Sequence, residues 1–220
     1  MFPTGDENPR RTTPVLTWSL IGLNVAIFLW SLTDFEQVVT TWGFTPGLFV
    51  PATLLTAMFL HGGLDHIFGN MWYLFLFGDN VEDRMGKALF LPFYLGAGLV
   101  ATLTHYATDP GSLVPTIGAS GAISGVLGAY LVFFPKVKVR VWIRFLIIRV
   151  PAWGVIGFWF ALQLLFGVVS LTGGQGSGIA FWAHIGGFAF GAVVALAFRP
   201  FGRARPDPWR KPPPARVLRY

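Results

Sequence analysis

The lysine and arginine residues of this sequence all lie in alternate intervals between long apolar stretches. There are six such stretches, each near the ~20 residues that cross a ~30 Å hydrocarbon core, and they cover roughly residues 14–32, 64–81, 88–107, 117–134, 150–171 and 178–198. All 16 basic residues precede the first stretch or follow the second, fourth or sixth. The positive-inside rule makes those intervals cytoplasmic. We therefore predict an all-α, polytopic membrane protein with a six-transmembrane-helix bundle and both termini in the cytoplasm.

The composition is typical of a membrane protein and excludes several kinds of catalytic and metal-binding site. Hydrophobic residues make up 54% of the chain and charged residues 12%, a balance typical of membrane proteins. The net charge of +6 is explained by attraction to anionic lipid, because the basic residues flank the apolar stretches. We expect the lipid bilayer as a partner and no nucleic acid. The absence of cysteine excludes disulfides, thiolate zinc sites and a cysteine nucleophile.

The predicted division of the chain follows the same stretches. Residues 1–13 are polar and contain prolines, which predicts a disordered cytoplasmic lead. Residues 14–198 form the six-helix domain, and residues 199–220 form a disordered, basic, proline-rich cytoplasmic tail. Over residues 136–149 basic and apolar residues alternate, as expected of a cytoplasmic interfacial segment.

The fifth stretch is bulky and aromatic, and it contains one polar side chain of note, Gln163. We expect this helix to face lipid and to contribute little chemistry. The glycine-rich loop at residues 172–178 follows it on the outer side, and it is suited to move as a gate.

A run of small residues opens the fourth stretch, with the hydroxyl of Ser120 near its head. Ser120 stands where this helix can first begin, after the polar connection 108–117. Free backbone N–H groups and the helix dipole stabilise an anion at such a position. Small residues also recur at spacing four, which lets another helix approach closely. The stretch by itself predicts tight packing, and it predicts a nucleophile if a base lies nearby.

The sixth stretch contains a single histidine, His184. An ionisable side chain in hydrocarbon is costly and is a functional hypothesis by default. His184, Gly187 and Gly191 share one helix face, which can pack against the small residues of the fourth helix. Because both helices enter from the outer side, we expect Ser120 and His184 to meet at similar depth as nucleophile and base.

A second polar pair lies at the outer end of the second stretch. His66 and Asn70 are four residues apart and share a helix face. Two neutral donors on one face are suited to bind the oxyanion of a tetrahedral intermediate. The alternative is that His61 and His66 flank the membrane interface and Asn70 makes an interhelical hydrogen bond.

The remaining polar residues of the stretches have expected structural roles. Asn24 is predicted to serve helix packing, and His105, near the outer end of the third stretch, is expected to be structural or interfacial. Glu82 and Arg84 lie at the cytoplasmic end of the second helix, where they are expected to cap or brace helices.

Together these motifs resemble the rhomboid intramembrane serine proteases over about residues 15–198. The motifs in chain order are His61-x4-His66-x3-Asn70, Glu82-x-Arg84, Gly118-x-Ser120-Gly121 and Ala183-His184-x2-Gly187-x3-Gly191. Gly-x-Ser-Gly alone is a weak signal, but the set in this order on these helices is specific. The serine does not follow a strand, so it is not the nucleophile elbow of soluble hydrolases.

The resemblance implies a bacterial-type, six-helix core that cleaves transmembrane segments of other membrane proteins without a cofactor or metal. The site roles that it implies for this chain are Ser120 as nucleophile, His184 as general base and acid, His66, Asn70 and the Ser120 backbone N–H as oxyanion donors, His61, Gly118 and Gly121 as cavity support, and Gly187 and Gly191 as helix-packing positions. It also implies the bacterial inner membrane, with the active site opening to the outer face.

The chain departs from the family at two supporting positions. The family often has a Trp-Arg pair in the first outer connection, where this chain has Thr53-Leu54, and a tyrosine one turn after the nucleophile, where this chain has Ser124. These changes concern loop rigidity and imidazole orientation. The sixth stretch also has no carboxylate, and loss of the orienting Asp costs a triad enzyme about 10⁴-fold in turnover. We therefore predict a slow dyad enzyme.

Three alternatives compete with the protease. An inactive rhomboid-like protein that binds or escorts membrane proteins would be expected to lack the serine or the histidine, and both are present. A metal site would use His61, Asp65, His66 and His184, but there is no His-Glu-x-x-His pattern. A transporter would show repeated halves, and none is evident. The natural substrate and the oligomeric state are left open by the sequence.

Overall fold

The computed structural model describes residues 2–172 and 178–198. Its helices within these ranges are α1 (Val15–Ser31), α2 (Phe35–Trp42), α3 (Thr53–Thr56), α4 (Leu64–Met85), α5 (Lys87–Thr108), α6 (Ser120–Phe133), α7 (Ala152–Leu171) and α8 (Phe181–Phe198). Its strands are β1 (Phe2–Asp6), β2 (Lys138–Ile143) and β3 (Leu146–Pro151). The structure is therefore mostly helical, as the sequence predicts.

Three of the described helices have the length and the apolar composition to cross a membrane, namely α5, α7 and α8. Helices α1 and α6 are apolar but shorter. Helix α4 has 22 residues and ends in a charged segment that includes Asp79, Glu82 and Arg84. The count of six transmembrane helices therefore stays a prediction.

Helix α6 lies at the centre of the bundle. Every residue from Gly121 to Tyr130 is buried, and the helix packs against α4, α5 and α8. A Cβ at Gly187 would collide with the carbonyl oxygen of Gly121, and a Cβ at Gly191 with that of Gly125. Only glycine allows the backbones of α6 and α8 to come this close.

The prediction of a disordered lead is wrong for Phe2–Asp6, which forms strand β1. This strand pairs antiparallel with β2, and β2 pairs with β3, so the sheet order is β1-β2-β3. Trp72 in α4 donates its indole N–H to the carbonyl oxygen of Pro3 at 2.8 Å. The sequence at the N-terminus is polar and does not by itself predict a strand. The backbone hydrogen bonds of β1 are supplied by β2, which lies far along the chain.

The segment predicted as interfacial, residues 136–149, includes β2 and most of β3. Its alternation of basic and apolar residues is the period-2 pattern of a strand with one buried face. Val139 and Val141 are fully buried, whereas Lys138 and Arg140 are exposed. The tail at residues 199–220 and residues 173–177 of the predicted gate loop lie outside the described residues.

Glu82 caps helix α1 from the neighbouring helix α4. Its carboxylate accepts hydrogen bonds from the backbone N–H of Leu16 at 3.1 Å and of Thr17 at 2.8 Å, and from the Thr17 hydroxyl at 2.8 Å. A carboxylate at a helix N-terminus satisfies free N–H groups and complements the dipole. Arg84 lies over the ring of Phe133 at 5.4 Å. These contacts agree with the expected capping and bracing roles.

The outer connection between α1 and α4 is folded by short helical turns and an apolar cluster. Leu54, Phe44 and Ala57 are buried together, and the Thr53 hydroxyl donates to the carbonyl oxygen of Val50 at 2.7 Å. The pair that replaces the family's Trp-Arg is thus buried, and it rigidifies the connection by packing.

Candidate active site

Ser120 and His184 come together across the contact between α6 and α8. The Oγ atom of Ser120 lies 2.8 Å from Nε2 of His184. Both residues are half-buried. The two residues are 64 positions apart in sequence, and the small-residue packing of α6 against α8 closes that gap.

The local backbone places Ser120 at the first position of α6. The N–H of Gly118 donates to the carbonyl oxygen of Ala57 at 2.9 Å, and Thr116 pairs with Phe44, so the loop before the helix is anchored to the outer connection. Gly118 has φ of +131°, which favours glycine. The backbone N–H of Ser120 is one of the first four of the helix, and these have no intrahelical partner.

His66 lies beside Ser120 at the start of α4. Its Nδ1 accepts a hydrogen bond from the N–H of Gly62 at 3.3 Å. A neutral imidazole that accepts at Nδ1 has its proton on Nε2. A Cβ at Gly118 would lie 2.9 Å from His66 Nε2 and 3.7 Å from Ser120 Oγ. The absence of a side chain at Gly118 therefore leaves a space bordered by an N–H donor and the serine hydroxyl.

Asn70 is buried one turn further along α4. Its side-chain Nδ2 donates to the carbonyl oxygen of His66 at 2.9 Å. A carboxamide nitrogen has two hydrogens, so one remains for another acceptor. The bond also ties Asn70 to the turn that holds His66.

His61 is fully buried in the connection before α4, outside the predicted membrane helices. Its ring meets that of His66 edge-on, with centroids 5.2 Å apart. Burial, with His66 nearby, lowers the pKa of His61 to about 4, so the ring is neutral. Within the described part of the chain, neither of its ring nitrogens has a hydrogen-bond partner.

Gln163 is the residue that the sequence reasoning missed. Its Oε1 lies 2.8 Å from Nδ1 of His184, and the side chain is only 9% exposed. The expectation that α7 contributes little chemistry is therefore wrong at this position. A glutamine near the middle of a 20-residue apolar helix was the available signal, because polar residues in membranes usually have a partner.

Two further residues define the surroundings of the imidazole. Ser124, which occupies the family's tyrosine position, donates its hydroxyl to the carbonyl oxygen of Ser120 at 2.7 Å. The ring of Trp159 on α7 lies near His184, with centroids 6.0 Å apart. Apart from Ser120, the contacts of the imidazole thus come from α7 rather than from α6.

Asp65 and His105 are the remaining sequence candidates. Asp65 is exposed, and His105 is half-buried near the outer end of α5. Over residues 2–172 and 178–198, no three histidine, aspartate or glutamate side chains converge as metal ligands.

Comparison with known proteins gives a family match over most of the chain. The family model for the rhomboid domain matches residues 49–201. Two Bacillus subtilis proteins with rhomboid protease in their names, YdcA and GluP, are 42% and 41% identical to the chain over 78 residues, which is 36% of this chain in each case, 39% of YdcA and 15% of GluP. A mitochondrial presenilin-associated rhomboid-like protein of Bos taurus is 30% identical over 131 residues, 56% of this chain and 34% of the relative.

The matched part is less than half the length of each of these curated relatives. The family match itself covers more than half of the present chain and includes α4 to α8, with Ser120, His184, His66, Asn70 and Gln163. The described helices include apolar ones of membrane-spanning length. This chain is a polytopic membrane protein that belongs to the rhomboid family.

Proposed function

We propose that this protein is an intramembrane serine endopeptidase that cleaves transmembrane segments of other membrane proteins. The observation that carries the proposal is the 2.8 Å contact between Ser120 Oγ and His184 Nε2 at the N-terminus of α6. A hydroxyl beside a neutral imidazole is the arrangement that nucleophilic catalysis needs. The rhomboid protease names of YdcA and GluP support the same reaction.

In the first step His184 Nε2 takes the proton of the Ser120 hydroxyl while Oγ attacks the peptide carbonyl carbon. The carbonyl oxygen becomes an oxyanion, for which the backbone N–H of Ser120, His66 Nε2–H and the second Asn70 amide hydrogen are the donors on this side of the site. Preorganised donors of this kind contribute about 10²–10³-fold each in rate.

In the second step the imidazolium of His184 gives its proton to the leaving amine, and the C–N bond breaks to leave an acyl-enzyme on Ser120. A water molecule then transfers a proton to Nε2 and attacks the ester carbonyl carbon. The C–Oγ bond breaks, the imidazolium returns its proton to Oγ, and the carboxylic acid product leaves. Every proton in this cycle passes through one ring nitrogen, so the histidine must present a lone pair at Nε2.

The location of the reaction is part of the proposal. The first residues of α4, α6 and α8 meet at one end of the bundle, opposite the basic connections. By the positive-inside rule this end faces away from the cytoplasm. We propose a bacterial inner-membrane protein with cytoplasmic termini and a site that opens to the outer face.

The test is cleavage of a single-span model substrate by purified protein in proteoliposomes, with Ser120→Ala and His184→Ala. Both variants should fall to background while remaining folded. Ser124→Ala and His105→Ala are matched controls, because they remove a hydroxyl one turn away and an outer histidine, and both should still cut.

A fluorophosphonate probe gives a second measurement that does not depend on the choice of substrate. The probe should label wild-type protein on Ser120 and leave Ser120→Ala unlabelled. Equal cleavage by wild type and Ser120→Ala, or absence of labelling in folded wild type, would reject the protease and favour an escort function.

A further inference from the structure

We propose that Gln163 is a positioning residue for His184, holding the imidazole in the tautomer that can accept the proton of Ser120. The proposal rests on the protease function proposed above and adds a residue from a third helix. Gln163 Oε1 lies 2.8 Å from His184 Nδ1, on the ring edge opposite the 2.8 Å contact from Nε2 to Ser120. Helices α6, α8 and α7 thus contribute a linear serine–histidine–glutamine array.

The chemistry of the two ring nitrogens explains why this contact matters. A neutral imidazole has one N–H and one lone pair, and the carboxamide oxygen of Gln163 can only accept. Nδ1 of His184 therefore donates to Oε1, which leaves the lone pair on Nε2 facing the Ser120 hydroxyl. In the opposite tautomer Nε2 would carry the proton and could not act as a base.

The packing of α7 fixes Gln163 in this position. The buried residues of α7 are Ala152, Ile156, Gln163 and Gly167, which form one inward stripe on a helix whose other residues are half-buried or exposed. One turn beyond Gln163, the indole N–H of Trp182 on α8 donates to the carbonyl oxygen of Gly167 at 3.1 Å. This bond sets the register between α7 and α8, so the carboxamide lies level with His184.

A neutral third member suits a site inside a membrane. A carboxylate at the same position would have to be held charged in an apolar helix, at a cost of several kcal/mol, whereas an amide is less costly to bury. The amide orients the imidazole, but it stabilises the imidazolium less than a carboxylate does. The array therefore provides the correct tautomer while turnover remains slow.

The kinetic test compares Gln163→Met with wild type. Methionine keeps the length of the side chain and removes the acceptor. We expect kcat on the model substrate and the fluorophosphonate labelling rate to fall together by about 10²-fold, between the roughly tenfold effect of a lost neutral hydrogen bond and the ~10⁴-fold effect of a wrong tautomer in a triad. KM should change little, and Gln163→Glu, which restores an acceptor, should recover most of the rate.

A packing control separates positioning from general damage to α7. The ring of Phe160 stacks on Phe188 of α8 at 4.0 Å, so Phe160→Leu loosens the same helix contact without touching His184. Its kcat should stay within about threefold of wild type, because no hydrogen bond to the imidazole is lost. An equal loss in Phe160→Leu and Gln163→Met, or unchanged kcat in Gln163→Met, would overturn the proposal.

Nitrogen NMR of ¹⁵N-histidine-labelled protein reads the tautomer directly and needs no activity. The chain has 4 histidines, so His184→Ala identifies the signal of His184. Wild type should show the Nδ1–H tautomer and Gln163→Met a mixture; a wild-type Nε2–H tautomer would overturn the proposal. Because this spectrum is independent of cleavage, failure of the protease function and failure of the positioning role are distinguishable.

Discussion

Asp6 at the end of β1 connects the N-terminal strand to the helix bundle, and its burial predicts an unusual dependence of stability on pH. The Tyr130 hydroxyl of α6 donates to Asp6 Oδ2, and Asn80 Nδ2 of α4 donates to the same oxygen at 3.3 Å. Burial raises the pKa of Asp6 from 3.8 to about 6; the Tyr130 hydrogen bond lowers it in part, and the nearby carboxylate of Asp79 raises it.

The sign of the effect follows from the order in which the two states lose this proton. As the pH rises from about 4 to 6, the unfolded carboxyl ionises before the folded one, so the unfolded state binds fewer protons and stability falls. A shift of about 2 units at 1.36 kcal/mol per unit corresponds to about 3 kcal/mol, all of it lost above pH ~7. For a chain of this size that is roughly 6–12 °C in Tm.

The assay is thermal unfolding in detergent across the range from acidic to neutral pH, for wild type and Asp6→Asn. Asparagine keeps the acceptor for Tyr130 but cannot ionise, so the contribution of Asp6 to the decline in Tm should disappear. Asp65→Asn, at an exposed carboxylate, should keep the wild-type slope. A decline of the same size in Asp6→Asn and wild type would refute the assignment of the slope to Asp6.

Three further perturbations test the packing, the cap and the oxyanion donors. Gly187→Val should force α6 and α8 apart and lower the cleavage rate by at least ~10²-fold, since small displacements of reacting groups cost that much. Gly22→Ala is the control, because its added Cβ would lie in open space, and it should leave the cleavage rate unchanged. Full activity in Gly187→Val would contradict the tight contact between α6 and α8. Glu82→Ala removes three hydrogen bonds at the start of α1, so denaturant titration should show a loss of roughly 3 kcal/mol; an unchanged midpoint would show that the cap contributes nothing. His66→Ala should lower kcat by about 10²–10³-fold at nearly constant KM, and a change confined to KM would assign His66 to substrate binding instead.

The helix positions and the first members of the candidate site are accessible from the sequence for a physical reason. The bilayer accepts only long apolar segments whose backbone is satisfied internally, so stretch length predicts the helices well. Because the bilayer interior is apolar, a polar residue within an apolar stretch is unusual, and His184 can be recognised on that basis. Glycines at spacing four on the fourth and sixth stretches then indicate which two helices approach closely enough to bring Ser120 to it.

The tertiary structure decided what depends on contacts between distant segments. Strand β1 exists because Phe2 pairs with Trp142 across the chain, and nothing in residues 1–13 alone indicates that partner. Gln163 reaches Nδ1 of His184 only because the register of α7 against α8 places it there, whereas the apolar periodicity of α7 gives no preferred face. The sequence by itself thus predicted the apolar helices and the approach of Ser120 to His184, since solvent and spacing act locally. Packing between distant segments decided the contact of Gln163 with His184 and the three-stranded sheet, because those hydrogen bonds form only after the chain has folded.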